Sequence, residues 1–313
     1  MSRLRYLMVS VDTEGDDQWD DQKKIGTNNA RFIMRFQKLC EKYRLKPVYL
    51  TDYEMANDPV FVSEASQWKS QGNCEIGMHL HAWYTPPEAN LSRINQERDF
   101  LVEYPEDVMA RKIDTMTELL TAKFGERPVT HRSGRWVTDE RYMRLIAEHG
   151  YKIDCSVTPH VNWCNVHGST GMPGCDYSGC SEKPYFMDNG ILEIPVTIRK
   201  MHIIEWSRIH SFRSAVRELH HFVDGTEQWL RLFDTDSSDG IRALVRKLKV
   251  SDQDYLFMIH SSELMPGGSP AFRTEKDVDK LYEMIEFVFH ELYSCGWIGI
   301  TMRDYLDQYN RDI

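Results

Sequence analysis

Strand-like runs alternate with helical ones along nearly all of these 313 residues, and that order constrains the fold more than any other feature. "YLMVSVD" leads into "NNARFIMRFQKLCEKYRL", where Phe32, Ile33, Phe36, Leu39, Cys40 and Tyr43 recur at helical spacing. "PVYLTD" precedes "DPVFVSEASQWKSQG", with Pro59 suited to a first helical turn and Gly72 just past its end. "EIGMHLH" is a third strand, followed by a long polar stretch with Ile113, Met116, Leu119 and Leu120 as its buried face. "PVTHRS" comes next, then a helix from an N-cap at Thr138 to a stop at Gly150. "YKIDCSV", "ILEIPVTI", "YLFMIHS" and "WIGITM" supply the remaining strands, and helices are expected over 211–233 and 274–294.

Seven or eight strand–helix units imply a parallel sheet. Chain length and the lack of a glycine-rich phosphate fingerprint favour a closed or nearly closed barrel over a doubly wound sheet. The expectation is one catalytic domain over 1–313, interrupted by an irregular insertion around 158–185 that is rich in Gly, Cys, Trp and Asn.

A net charge of −10 argues against nucleic acid or an anionic membrane as partner. No apolar run approaches the roughly 20 residues that span a bilayer, and the basic start soon meets Asp12. With no export signal, the seven cysteines read as reduced thiols of a cytoplasmic protein. Cys164, His167, Cys175 and Cys180 lack the short Cys-x-x-Cys knuckles of a structural zinc site, so a loop with free thiols is the expectation there.

In a parallel barrel, catalytic side chains gather where the strands end. Those ends carry Asp12 and Glu14, then Asp52, His79 and His81, His131 and Arg132, Asp154, Glu193 and His260. A buried parallel strand is otherwise close to uniformly apolar, so the set is informative. Asp12 and Glu14 stand two apart, as do His79 and His81, and residues two apart on an extended chain face one way. Two neutral imidazoles and one carboxylate form a facial set for Zn²⁺ or another divalent cation, and the second carboxylate is left to take a proton. The plainer alternative is that the two acids cap a loop or a helix.

These patches resemble the polysaccharide deacetylases of the NodB-homology type, carbohydrate esterase family 4 and its relatives. "SVDTEGD", "EIGMHLHAW", "HRSGRW", "KIDCSVTP" and "LFMIHSSEL" match its motifs in order. The resemblance implies a distorted (β/α)7–8 barrel that removes acetyl groups from N-acetylated sugars with a divalent metal, zinc foremost. It casts Asp12 as catalytic base, Arg132 as the group orienting it, His260 as general acid, and Asp154 as partner of the other His260 ring nitrogen. Two departures stand out. The family writes His-Ser/Thr-x-x-His, whereas Trp83 lies four after His79 and the second histidine is His81. The family's second Asp falls at Thr13, so Glu14 is the expected replacement ligand and Asp16 the fallback.

Trp83, Tyr84, Trp136, Trp163 and Tyr177 fall on loops at the same edge, and aromatic faces suit the apolar side of a sugar. Trp83, Trp136, Tyr177 and Glu263 are the expected substrate contacts. His131 should face away from the site. The expected partner is a saccharide or glycan precursor. Two rivals remain: a metal-free amidohydrolase of the same fold, and a carbohydrate-binding barrel without catalysis.

Overall fold

The computed structural model describes residues 3–16, 18, 25–235 and 238–312. Its first half comprises β1 (Arg5–Thr13), α1 (Ile33–Lys42), β2 (Val48–Thr51), α2 (Tyr53–Ala56), α3 (Pro59–Ser70), β3 (Glu75–Leu80), α4 (Glu106–Phe124), β4 (Thr130–Ser133), α5 (Glu140–Glu148) and β5 (Ile153–Asp154). The second comprises β6 (Tyr185–Phe186), β7 (Leu192–Glu193), β8 (Ile198–Met201), α6 (Phe212–Asp224), β9 (Thr226–Trp229), α7 (Ser238–Leu248), β10 (Tyr255–His260), α8 (Glu275–Ser294), β11 (Trp297–Gly299) and α9 (Met302–Asp312).

One sheet runs β10–β1–β2–β3–β4–β5–β7–β6, with β11 beside the first residues of β1. Its pairings are parallel except β6 against β7. Among the described residues β6 and β10 do not pair, so the sheet is a curled, distorted (β/α) barrel of the kind expected, left open on one side. Pro195 explains part of the opening. It has no N–H for a ladder, so "ILEIPVTI" divides into β7 and β8. Val196 and Thr197 then bridge the gap by donating to Val157 and Leu256 carbonyls at 3.1 Å each. β8 leaves the barrel and pairs antiparallel with β9.

Strand alternation gives the sheet two buried faces. Met8, Leu50, Ile153 and Met258 fill the inside, while Val9, Tyr49, Met78 and Phe257 pack outward against the helices. Local sequence signals set the helix ends. Asp58 accepts from the Val60 and Phe61 amides at 2.9 Å with Pro59 in the first turn, and Gly125 ends α4 at φ 73°. Thr274 and Asp277 cap the start of α8 reciprocally.

Three expectations need correction. The cap of α5 is Asp139, whose carboxylate accepts from the Tyr142 amide at 2.7 Å, not Thr138. The helix expected over 211–233 stops at Asp224, because Gly225 at φ 78° turns the chain into β9. Helices α7 and α9 were not anticipated at all. No described helix is long and apolar enough to cross a membrane.

Candidate active site

Register alone brings the first charged residues together. Asp12 lies opposite His260 across β1 and β10, and His79 lies opposite Arg132 across β3 and β4. Arg132 is fully buried and reaches across the barrel mouth. Its Nη1 donates to Asp12, its Nη2 to Ser10 Oγ at 3.0 Å and its Nε to the Cys155 carbonyl at 2.9 Å. Burial raises the Asp12 pKa, but Arg132, His79 and His260 outweigh it and hold the carboxyl below its ordinary value. Asp12 is therefore an ionised carboxylate whose second oxygen, Oδ2, stands 3.7 Å from His260 Nε2.

Beyond β1, Glu14 is anchored through its backbone to Ser261 Oγ at 3.1 Å and to Asn29 Nδ2 at 2.9 Å. Its Oε2 lies 3.0 Å from His81 Nε2 and 3.7 Å from His79 Nε2. These three ligand atoms lie within 4.8 Å of one another, all on buried residues. A tetrahedral ion with bonds near 2 Å spaces its ligands roughly 3.3 Å apart, so the separations fit one cation. Two further observations support that fit. His79 Nδ1 donates to the Arg132 carbonyl at 3.1 Å, which leaves the Nε2 lone pair facing the cluster. Glu14 Oε1 is buried without a partner among the described residues. Burial and neighbouring His79 push the His81 pKa down to about 4, so its ring is neutral at pH 7, the ligating state. Glu14 is drawn well below the carboxylate range, since His260, His79 and His81 outweigh its burial. Asp16, the fallback ligand, is already committed to the Asn28 and Asn29 amides at 2.7 and 2.9 Å.

Gly134 makes room for His81. A Cβ there would sit 2.8 Å from His81 Nδ1 and 2.6 Å from the Leu80 carbonyl. The next two residues, Arg135 and Trp136, both take left-handed φ angles of 57° and 63°, a strained conformation of the kind found at functional loops.

His260 does not meet Asp154. Asp154 pairs in register with His131, and both point outward, away from the site. Asp154 instead accepts from Ser156 Oγ at 2.8 Å and bonds His131 Nδ1 at 2.7 Å, while His131 Nε2 meets the Tyr142 hydroxyl at 2.7 Å. His131 thus does face away from the site, as a buried structural histidine. Beside His260 Nδ1 stand Arg231 and Glu263 instead. His260 Nδ1 lies 3.2 Å from Arg231 Nη1, a donor to the neutral ring, and 3.7 Å from Glu263 Oε2, an acceptor for the charged one. Burial lowers the His260 pKa, but the charges of Glu14 and Glu263 outweigh it and raise it above the ordinary value. Glu263, expected as a substrate contact, lines the cavity, where it is buried and ion-paired with Arg231.

Sequence reasoning missed Arg231, because it lay inside the stretch read as helix. The signal was present. It was slight: Gly225 can end a helix, and the "EQWLRLF" after it has only the Leu230-Arg231-Leu232 alternation of a strand, while Trp229, Arg231 and Phe233 all line the cavity.

That cavity has a volume of about 690 Å³, within the range of small-molecule sites. Asp12, Glu14, His79, His81 and His260 form its floor. Trp83, Trp136, Trp163 and Trp229 stand around it, the last from β9 and Trp163 from the 158–185 insertion. Trp83 lies 4.5 Å from the His81 ring and leaves its indole N–H without a partner among the described residues. Tyr177 is not part of the wall. Its hydroxyl donates to the Trp136 carbonyl at 2.6 Å and so props the strained loop from behind. All seven cysteines are free, and Cys164, His167, Cys175 and Cys180 form no group at ligand distance among the described residues.

No known family profile and no curated protein matches the sequence. Solved structures do match in fold. A Mycobacterium smegmatis protein described as a polysaccharide deacetylase aligns over 100% of this chain and 95% of its own, at 14% identity and a TM-score of 0.56. A branching enzyme of glycoside hydrolase family 57 from Thermococcus kodakaraensis aligns over 97% and 71%, at 10% identity and 0.56. A 4-α-glucanotransferase from Thermococcus litoralis aligns over 97% and 38%, at 11% and 0.54. The chain therefore has the polysaccharide deacetylase barrel, a fold it shares with these glucan-transferring enzymes. The site, not the fold, has to separate those chemistries.

Proposed function

We propose that this protein is a metal-dependent hydrolase that removes an acetyl group from an N-acetylated sugar or glycan precursor. One observation carries the reading: Glu14, His79 and His81 converge with ligand spacing beside an ionised Asp12 held by Arg132. A divalent cation there, Zn²⁺ foremost given two imidazoles and a carboxylate, would supply Lewis acidity toward water and the acyl oxygen.

The chain's own residues do the rest. Arg132 fixes Asp12 so that its free Oδ2 faces His260 and the cavity, ready to take a proton from the attacking water. His260 presents Nε2 to the same space and donates to the leaving amine nitrogen. Glu263 and Arg231 give its Nδ1 a partner in each charge state. The indole faces of Trp83 and Trp136 hold the sugar ring, and the unpaired Trp83 N–H offers a hydroxyl its donor.

The test is a metal count and an acetate assay on the purified chain. One zinc per chain, lost in Glu14→Gln, together with acetate released from N-acetylglucosamine oligosaccharides, is the expected result. Glucan transfer on maltooligosaccharides serves as the control reaction. A protein that binds no divalent ion and yields no acetate refutes the reading.

A further inference from the structure

Lys112 is a charged residue set into the hydrophobic layer. It stands on α4, flanked along the helix by the core residues Met109, Ile113 and Met116, and is itself buried. Its ammonium faces the chain that leaves β3 past His81. There it donates to the Ala82 carbonyl at 2.9 Å, to the Pro87 carbonyl at 2.7 Å and to the Thr85 carbonyl. Three donors meet three carbonyl acceptors, which uses the whole capacity of the group. The Tyr104 ring lies 5.1 Å from it, and Asp99 and Glu88 stand near enough to favour its charge. Burial pushes its pKa down to about 8, so the ammonium keeps its proton at pH 7.

Taking an ammonium out of water is costly, and what this one gains is hold over a single loop. Residues 82–87 form neither helix nor strand, and Pro86 and Pro87 have no N–H with which the loop could tie itself. The Thr85 amide donates to the His81 carbonyl at 3.2 Å. At the rim, Arg98 donates to the Tyr84 hydroxyl at 2.6 Å, and its guanidinium lies 5.2 Å from both the Trp83 and the Tyr84 rings. Trp83 therefore sits between a clamp at the base and a clamp at the rim, with its ring 4.5 Å from that of His81.

We propose that Lys112 is a positioning residue for the substrate: from beneath the loop it fixes the Trp83 indole beside His81, so that a sugar meets a wall already formed. The inference rests on the sugar-binding role given to Trp83 above. Trp83 lines the cavity, whereas Lys112 is not among its described lining residues, so the ammonium acts through the loop and not by contact. A wall formed in advance removes the cost of ordering the loop when the sugar binds. That gain belongs to ground state and transition state alike, so it shows in KM more than in kcat.

Lys112→Met tests it, because the apolar stem is kept and all three donors are lost. KM for N-acetylglucosamine oligosaccharides should rise about tenfold, with kcat within about twofold of the parent's. Trp83→Ala should raise KM by a similar factor, and the double variant by no more than Trp83→Ala alone, since both remove the same wall. Hydrogen exchange followed by mass spectrometry should quicken over 82–85 and keep the parent's rate in β10. Lys112→Arg keeps the charge but spreads its donors over a flat fork, so its KM should fall between those of the parent and Lys112→Met. It carries the comparison if Lys112→Met does not fold. An unchanged KM, or losses that multiply in the double variant, would reduce Lys112 to a support of the fold and overturn the proposal. If the intact chain releases no acetate, the deacetylase reading fails, and exchange over 82–85 alone decides the clamp: quickening in the variant upholds it, and the parent's rate overturns it.

Discussion

Arg132 and His131 are neighbours on β4, yet they lead into buried polar clusters of opposite character. His131 faces outward, where both its nitrogens, Asp154 and the Tyr142 hydroxyl are mutually bonded within a closed layer of apolar side chains. Arg132 faces inward, where the groups around it border a cavity and where Glu14 Oε1, His81 Nδ1 and Trp83 Nε1 have no partner among the described residues. Both clusters contain a histidine and a carboxylate, so residue type does not tell them apart. The difference lies in what the two border: the outer cluster, which also leaves Glu193 Oε2 without a partner among the described residues, is sealed beneath apolar side chains, while the inner one opens on a cavity that a ligand can enter.

Mutations put that contrast to the test. The largest effect should come from Asp12→Asn, which keeps the shape beside Arg132 but removes the base: acetate release should fall by about 10²–10⁴-fold. Unchanged turnover with Asp12→Asn would remove the inner cluster's claim to chemistry. Next is Gly134→Ala, whose added Cβ crowds His81 Nδ1. Zinc affinity, measured by competition with a chelating dye, should drop by about 10–100-fold, as when a group that orients a ligand is disturbed. The outer cluster predicts the opposite pattern. His131→Leu strands Asp154 and Tyr142 and should cost about 1–3 kcal/mol in urea unfolding, with acetate release per folded molecule close to the parent's. Lost activity at unchanged stability would merge the two clusters into one.

The smallest effect concerns pH. The folded His81 pKa is about 4 against an ordinary 6.5, so between those values the unfolded chain binds a proton that the folded one refuses. The metal-free protein should therefore lose stability as pH falls through that window, by at most about 1.4 kcal/mol per unit from this group. Glu14, lowered from 4.5, adds a loss of the same sign below that value. His81→Phe should flatten the upper part of the slope, measured by urea midpoints across the range. A slope that persists unchanged would show that His81 is not the group responsible.

Much of this was legible before any coordinates. The strand order from β1 to β5, the first helical turn at Pro59, the helix over 274–294 and the placement of Asp12, His79, Arg132 and His260 at strand ends all follow from short-range patterns, because period-two and 3.6-residue spacings are local properties. Local spacing also put His79 and His81 on one side, since alternation fixes that without reference to any other segment. It could equally have warned against Asp154, which shares its outward parity with its register partner His131. Register between β4 and β5, however, is not written in either strand.

What the amino-acid order determined by itself was the barrel's strand–helix rhythm and the kinds of groups delivered to its rim. Tertiary packing alone decided which groups meet. It gave His260 to Arg231 and Glu263 rather than Asp154, withdrew Tyr177 behind Trp136, bent the chain at Gly225 to bring Trp229 and Arg231 into the wall, and left α6 with its apolar stripe in solvent. The physical reason is range. Dihedral preferences and side-chain periodicity act over a few residues, whereas a contact between Asp12 and Arg132, 120 residues apart, exists only once the sheet between them has closed up.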